Sequence, residues 1–189
     1  MARWEPGARE RLERAALELF AEQGFAETTV PQITARAGLT TRTFFRHFAD
    51  KREVLFGGED EIAGVIAGAL ADAPADLPAM RLVTDGLPAM AAALFGGRRA
   101  YLLQRHAVVD ADAGLRERDL QKRAALTELL RAGFVARGTD ELTATLAAEL
   151  ATTAMRVSVS RWLARDDEAD LAAVVTETLT ALRSLAAEG

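Results

Sequence analysis

Residues 28–48 read TTVPQITARAGLTTRTFFRHF, and signals for helix starts and stops follow one another closely along them. Thr29 and the glutamine three residues on have the spacing of a capping box, and Pro31 falls in the first turn, where its missing N–H costs no hydrogen bond. Gly38 ends this helix, and Thr40 caps the next one. The pattern predicts two short helices joined by a tight turn.

A longer helix precedes this pair. Its apolar residues follow the i, i+3, i+4, i+7, i+8 spacing of one buried face, and Gly24 ends it. The expected inward positions of the three helices and their turns are Leu19, Phe20, Phe25, Val30, Ile33, Ala37, Leu39, Phe44 and Phe48. Three short helices separated by tight turns are typical of a helix-turn-helix unit.

The remainder of the chain also has helical patterns. They predict a fourth helix from Asp50 to Ala73, a fifth over 80–95, a sixth over 98–109, a seventh over 115–137, an eighth capped by Thr139, and a ninth that opens at Asp167 and Glu168. The 40 alanines against three isoleucines favour helix over sheet. We therefore predict an all-α fold of about nine helices, with a helix-turn-helix domain at 1–52 and a helical bundle at 53–189.

Composition excludes several classes of protein. The chain has no cysteine, so disulfides, thiolate metal sites and cysteine catalysis are excluded. Its two histidines belong to no nucleophile–base motif, and His106 with Asp110 and Asp112 has a spacing that arises by chance, so we predict neither an enzyme nor a metal or cofactor site. Charges interrupt every apolar run before the ~18 residues that a membrane span needs, and the N-terminus has no signal-peptide core, which favours a cytoplasmic protein.

The net charge of −5 at first argues against a nucleic-acid partner. The charge is unevenly distributed, however, because residues 31–52 alone have a net charge of +4 and residues 53–189 a net charge of −7. Salt screens charges more than ~8–10 Å from the contact surface, so the local charge decides attraction to DNA. Residues 31–52 also contain the helix-turn-helix pattern, so we predict that the DNA-binding surface lies on this segment.

Many residues of this region match, in order and spacing, the sequence pattern of a known protein family. They are AALELFAEQGF at 15–25, TTV at 28–30, Ile33, RAGLT at 36–40, TFFRHF at 43–48, Lys51 and Leu55. On these residues the segment 11–56 resembles the DNA-binding domain of the TetR family of bacterial transcription regulators. The resemblance implies a two-fold homodimer that binds a palindromic operator in double-stranded DNA, and a C-terminal domain that binds a small effector and then releases the DNA.

The DNA-binding residues follow from the helix-turn-helix geometry, in which the second helix presents its residues to the major groove. Arg42 can pair bidentately with guanine. The family usually has tyrosine where this chain has Phe45; the phosphate contact of the hydroxyl is lost, but the ring can pack on a thymine methyl. The predicted base contacts are Thr41, Arg42 and Phe45, and the predicted phosphate contacts are Thr28, Thr29, Thr40, Thr43, Arg46, His47 and Lys51.

These residues also have structural alternatives. Thr29 and Thr40 cap helices with or without DNA, His47 is equally a surface histidine, and Phe45 is alternatively part of the core. Arg36 fits a solvated charge better than a base reader. Arg3, ahead of the first helix, is a candidate for a flexible arm that reaches an adjacent groove.

The bundle residues divide into two predicted sets. The effector pocket is predicted to contain Met90, Leu94, Phe95, Tyr101, Arg105, Phe134, Met155, Val159 and Trp162. The dimer interface is predicted to contain Leu146, Leu150, Thr153, Val157, Leu171, Val175, Thr178 and Leu182. At helical spacing, both sets are alternatively the chain's own core.

A second resemblance concerns the effector. The TFFR, LRER and RWL sequences at 43–46, 115–118 and 161–163 resemble a TetR subgroup described as binding acyl-CoA-like ligands, which includes mycofactocin-associated regulators. It implies a small apolar or acyl-CoA-like effector. The competing interpretations are an all-helical enzyme or small-molecule carrier without operator binding, and a purely structural helical dimer.

Overall fold

The computed structural model describes residues 7–166 and 169–187. Within these ranges the chain forms nine α-helices and one 3-10 turn, and no strand, which confirms the predicted all-α class. The helices are α1 (Ala8–Gln23), α2 (Val30–Ala37), α3 (Thr41–His47), α4 (Glu59–Asp72), α5 (Ala79–Phe95), α6 (Arg99–Ala111), α7 (Ala113–Ala136), α8 (Glu141–Leu163) and α9 (Leu171–Ala187), and the 3-10 turn is Arg52–Leu55.

Packing divides the chain into two compact units. The N-terminal unit comprises residues 1–58 and 100–120, and the C-terminal unit comprises residues 59–99 and 121–189. The N-terminal unit thus takes in residues 100–111 of α6 and residues 113–120 of α7 in addition to the three short helices. The predicted division into a DNA-binding domain at 1–52 and an effector-binding and dimerisation domain at 53–189 is a division by function, and it stays a prediction.

The N-terminal unit has one continuous apolar core. Leu12 of α1, Ile33 of α2 and Phe44 of α3 are all completely buried in it. The Phe44 ring lies 5.4 Å from the ring of Phe48, and residues of α6 and α7 join the same cluster. All nine predicted inward positions are buried in this core or packed against it, so that prediction is confirmed.

The local chemistry of the α2–α3 pair matches the sequence pattern. The Thr29 hydroxyl accepts from the backbone N–H of Gln32, whose side chain accepts from the Thr29 N–H at 2.8 Å. Gly38 has φ +64° and ψ +37°, a left-handed backbone conformation that residues other than glycine rarely adopt. The Gly38 N–H donates to the Ala35 carbonyl, and this turn sets the angle between α2 and α3.

In the C-terminal unit, α5, α8 and α9 pack on one another. The buried face of α8 consists mostly of small residues, which lets neighbouring helices approach closely: Ala144, Ala147, Ala148, Ala151, Ala154 and Ser158. Arg99 donates to the Trp162 carbonyl at 3.3 Å and so satisfies the C-terminal end of α8. None of the described helices combines the length and apolarity needed to cross a membrane.

The prediction of the fourth helix is wrong for its first part, residues 50–58. Asp50 caps only the 3-10 turn, because its carboxylate accepts from the N–H groups of Arg52 and Glu53 at 2.7 and 3.2 Å. The consecutive residues 54–56 are all buried, and one face of an α-helix cannot bury three consecutive side chains. Gly57 follows at a point where a Cβ would lie 2.6 Å from the Arg9 guanidinium, and α4 begins only at residue 59.

Three smaller differences concern helix ends. Asp140, rather than Thr139, caps α8, because its carboxylate accepts from the Thr143 N–H at 3.0 Å. The predicted break at 110–114 is only Asp112, whose carboxylate accepts from the Leu115 N–H at 2.9 Å and so lets α7 begin at once. The predicted opening of the ninth helix at Asp167 and Glu168 lies outside the described residues, as does Arg3.

Candidate nucleic-acid interface

The helix α3 presents one exposed face and one buried face. Thr41, Arg42, Phe45 and Arg46 are exposed, and their spacing places them together on the surface of the helix. Phe44, between them in sequence, points the other way and is completely buried. Thr40 caps the helix by accepting from the backbone N–H of residue 43 at 3.2 Å. The core thus fixes the orientation of this surface, which we call the α3 face.

Phe45 is the largest apolar side chain on the α3 face. It is 58% exposed, although an aromatic ring normally gains by burial. Its ring meets the Phe44 ring edge-on, with 5.3 Å between the ring centres and 80° between the planes. Phe45 is therefore supported from one side and open to solvent on the other.

The predicted threonine contacts do not all lie on the surface. Thr29 and Thr40 are exposed and Thr43 is half-buried. Thr28 is only 1% exposed, and its hydroxyl donates to the Gly24 carbonyl at 2.8 Å. Thr28 therefore stabilises the loop between α1 and α2 from the inside, and its side chain is not part of the exposed set.

Acidic neighbours already pair with two of the five basic residues at 31–52. Arg36 makes a two-pronged contact with Glu22, at 2.8 and 2.9 Å, which holds the pKa of that carboxyl below its usual value. Arg52 lies 2.8 Å from the carboxylate of Asp50 and lowers its pKa in the same way. The prediction that Arg36 is only solvated missed this pairing, because Glu22 belongs to another helix.

The remaining three basic residues differ from one another. Arg42 and Arg46 lie on the α3 face, and neither makes an ion pair with any described residue. The Arg46 guanidinium lies 3.4 Å from Nε2 of the half-buried His47. Lys51 instead directs its ammonium at backbone carbonyls of the loop between α1 and α2. Arg36 and Arg52 are also exposed, but acidic partners offset their charges, so the exposed positive charge without an ion pair to any described residue is on α3.

The predicted effector residues divide between the two units. Seven lie in the C-terminal unit: Met90, Leu94, Phe95, Phe134, Met155, Val159 and Trp162. Leu94, Phe134 and Trp162 are buried there, and the other four are half-buried. The indole N–H of Trp162 donates to the Ala169 carbonyl at 2.8 Å.

Tyr101 and Arg105 belong to the N-terminal unit. Tyr101 packs against the N-terminal core. Arg105 donates to the Leu55 carbonyl at 2.7 Å and to the Asp119 carboxylate at 3.1 Å, and its guanidinium lies 4.9 Å from the centre of the Phe56 ring. Arg105 therefore holds the 3-10 turn, a role that sequence spacing alone could not reveal.

One polar group in the C-terminal unit was missed by the sequence analysis. Ser158 of α8 is completely buried, and its hydroxyl has no hydrogen-bond partner among the described residues. Thr178 of α9 is also buried, but its hydroxyl donates to the carbonyl one turn earlier at 2.8 Å. A buried hydroxyl without a partner is uncommon and costs about 1–3 kcal/mol.

The predicted dimer residues also have mixed surroundings. Leu146 and Thr153 of α8 are exposed, and Leu150, Val157 and Leu182 are half-buried. Leu171, Val175 and Thr178 of α9 are buried within the chain's own C-terminal unit, because α9 packs on α5 and α8. An uncovered apolar stripe lies on α8, where Leu142 and Leu146 are 69% and 55% exposed, and Leu185 near the end of α9 is 70% exposed.

The histidine–carboxylate pair has no third ligand among the described residues. His106 Nδ1 lies 3.2 Å from the Asp110 carboxylate, on an exposed surface. In the part of the chain that the structure describes, no three or more histidine, cysteine, aspartate or glutamate side chains are grouped so as to hold a metal ion.

The helices α1 to α3, with the exposed α3 face, have the arrangement of a helix-turn-helix domain. Residues 13–56 match the family model described as bacterial regulatory proteins, tetR family. The regulator TcmR of Streptomyces glaucescens is 56% identical over 46 residues, which are 24% of this chain and 20% of TcmR. The match thus covers about a fifth of that relative's length.

Solved structures are similar in fold over almost the whole chain. The repressor FadR of Thermus thermophilus, solved in complex with lauroyl-CoA, has a TM-score of 0.58 and 23% identity, and 91% of each chain is covered. NalD of Pseudomonas aeruginosa, a repressor of the MexAB-OprM multidrug efflux pump, has a TM-score of 0.60 and 18% identity, and 94% of each chain is covered. At these identities the likeness establishes the fold alone.

Proposed function

We propose that this protein is a ligand-responsive transcriptional repressor that binds a palindromic operator as a homodimer. The observation that supports this most strongly is the α3 face, where an exposed phenylalanine and two exposed arginines without an ion pair to any described residue lie on a helix fixed by a buried core. A helix of this kind enters the major groove in helix-turn-helix proteins. No enzymatic activity is part of the proposal.

The proposal assigns the base contacts to Thr41, Arg42 and Phe45. The backbone contacts are assigned to Arg46 and to the exposed or half-exposed polar residues Thr29, Thr40, Thr43 and His47. Thr28 is left out because its hydroxyl is buried. Phosphate contacts fix the position of the protein on the duplex, and base contacts supply the sequence preference.

The proposed effector is a small apolar or acyl-CoA-like molecule that binds the C-terminal unit and releases the DNA. The lauroyl-CoA complex of the similar FadR fold supports this class. The half-buried apolar residues of α5 and α8, Met90, Met155 and Val159, are suited to an adaptable apolar pocket. The unpaired hydroxyl of Ser158 is our candidate for a hydrogen bond to a polar atom of the effector.

A gel-shift experiment tests both parts of this proposal. The purified protein should retard at least one DNA fragment flanking its own gene, and not a coding fragment of equal length. A long-chain acyl-CoA should then reverse the shift, and the free fatty acid and coenzyme A serve as controls. Failure to bind any flanking fragment at moderate salt would contradict the regulator proposal. Binding that acyl-CoA leaves unchanged would contradict only the effector class.

The exposed stripe on α8 leads to a prediction about the dimer. Leu146→Glu should convert the dimer to a monomer, because a two-fold interface would bury two unpaired carboxylates. Leu120→Glu is the matched control, because Leu120 is 60% exposed on α7 and outside the predicted interface. Light scattering after size exclusion measures the mass. An unchanged dimer in Leu146→Glu, or equal dissociation in both variants, would be inconsistent with an interface at this stripe.

Phe45 leads to a prediction about thymine recognition. Replacing operator thymines one at a time with deoxyuridine removes only the C5 methyl group. At one position in each half-site this should weaken binding by about fourfold, the value of ~0.8 kcal/mol for one buried methyl group. Phe45→Ala should bind more weakly and lose the sensitivity at that position alone. If wild type and Phe45→Ala respond alike at every position, Phe45 does not contact a thymine methyl.

A further inference from the structure

We infer that Lys51 is a positioning residue: its ammonium fastens the loop between α1 and α2 and so places Thr29 at the DNA backbone, without contacting a phosphate itself. This inference rests on the proposed DNA binding. It departs from the phosphate contact that the sequence predicts for Lys51.

The three hydrogens of the ammonium already have acceptors. Nζ of Lys51 lies 2.6 Å from the Phe25 carbonyl oxygen, 2.6 Å from that of Thr28 and 3.4 Å from that of Ala26. An ammonium has three donors and no acceptor, so these contacts use its hydrogen-bonding capacity. A phosphate could be bound only if at least one short bond were given up.

The surroundings of the ammonium support the same role. Nζ lies 4.1 Å from the centre of the Phe25 ring, a favourable distance for a cation–π contact, and the Phe25 ring in turn packs on Phe20. Lys51 is half-buried, and burial lowers its pKa despite the opposing charges of Asp112 and Glu27. The ammonium of Lys51 thus lies against the loop between α1 and α2 and the Phe25 ring, and not on the exposed α3 face.

The loop that Lys51 holds leads directly into α2. The Phe25 carbonyl also accepts from the Thr28 N–H at 3.3 Å, and the Lys51 ammonium, from 23–26 positions later in the chain, ties the carbonyls of Phe25, Ala26 and Thr28 to one point. Thr28, also inside this loop, is tied to Gly24. Thr29 follows immediately as the exposed cap of α2. Loss of the lysine bonds should therefore shift or loosen Thr29, a proposed backbone contact.

The two roles of Lys51 differ in the salt dependence of DNA binding. Each phosphate contact contributes about 0.9 units to the slope of log affinity against log salt concentration. Lys51→Met keeps an unbranched apolar chain of similar length but removes the ammonium and its three hydrogen-bond donors. If Lys51 positions the loop, operator affinity should fall by about tenfold, the value of one hydrogen bond to a charged group, and the slope should stay unchanged. The DNA-free protein should also unfold at lower temperature.

Arg46→Met is the matched control, because Arg46 is exposed on α3 and is a proposed phosphate contact. It should lower the slope by about one unit per subunit and leave the unfolding temperature unchanged. A drop of that size in Lys51→Met would overturn the inference, whatever happens to its stability. An unchanged unfolding temperature in Lys51→Met would overturn it as well. If the wild-type protein fails to bind DNA, the proposed function is contradicted, while the unfolding temperature of Lys51→Met still tests whether Lys51 stabilises the loop between α1 and α2.

Lysine acetylation of the wild-type protein gives a test that needs no variant. The chain has only two lysines, Lys51 and Lys122, so Lys122 serves as the internal reference. We expect operator DNA to change the ratio of the Lys51 rate to the Lys122 rate by less than twofold, because the Lys51 ammonium is already bonded in the free protein. Strong protection of Lys51 that appears only with DNA would mean a phosphate contact.

Discussion

Phe44→Ala is expected to destabilise the N-terminal unit by about 3–5 kcal/mol, because it empties a completely buried ring position. Phe44 packs on Phe48 and, through the core, joins α3 to Leu12 and Ile33. A loss of this size is a large part of the ~5–15 kcal/mol that stabilises a typical domain. Thermal or urea unfolding followed by circular dichroism measures the effect, and DNA binding should be lost with it.

Phe45→Ala is the matched control, since the same residue type at the next position is mostly exposed. Its free energy of unfolding should change by no more than about 0.5 kcal/mol. The adjacent pair therefore separates stability from DNA recognition. Equal destabilisation by both substitutions would contradict the orientation of α3 in the structure.

Arg42→Ala is expected to relax base preference at one position of each half-site by about 1–3 kcal/mol, the value of a bidentate arginine–guanine contact. Arg42 is exposed in the first turn of α3 and has no ion pair with any described residue, so nothing competes for its guanidinium. Affinity for the operator should fall more than affinity for random DNA. Competition binding against a set of single-base operator variants measures the change.

Two further variants separate the loss of charge from the loss of the base contact. Arg42→Lys keeps the charge but loses the planar fork, so it should retain the salt slope and still lose the base preference. Arg36→Ala removes an arginine already paired with Glu22 and should leave base preference intact. If Arg42→Ala weakens operator and random DNA by the same factor, Arg42 contacts the backbone and not a base.

The three-helix core was predictable from sequence because its signals are local. Caps at Thr29 and Thr40 and the glycine at Gly38 fix the helix ends, and apolar spacing fixes the buried faces. The exposed α3 face follows from the same spacing, since Phe44 and Phe45 must point to different sides. Residues 31–52 have a net charge of +4 by sequence, and the structure places Arg42 and Arg46 of this segment on the exposed side of α3.

The missed features depend on contacts between distant residues. The role of Lys51 depends on carbonyls at least 23 positions away, and that of Arg105 on a carbonyl 50 positions away. Pairing of Arg36 with Glu22 likewise depends on how α1 packs against α2. Helical spacing shows which face of α9 is apolar, but not that α5 and α8 already cover Leu171, Val175 and Thr178.

The central claim is that this chain recognises a particular DNA sequence through the α3 face, and selection from a random double-stranded library tests it most directly. The account predicts enrichment of an inverted repeat whose half-sites lie about one helical turn or a little more apart, bound at least ~10³-fold more tightly than random DNA. The Arg42→Ala protein should select a repeat that is degenerate at one position per half-site. A library that yields no common sequence, or a single asymmetric half-site, would contradict the account.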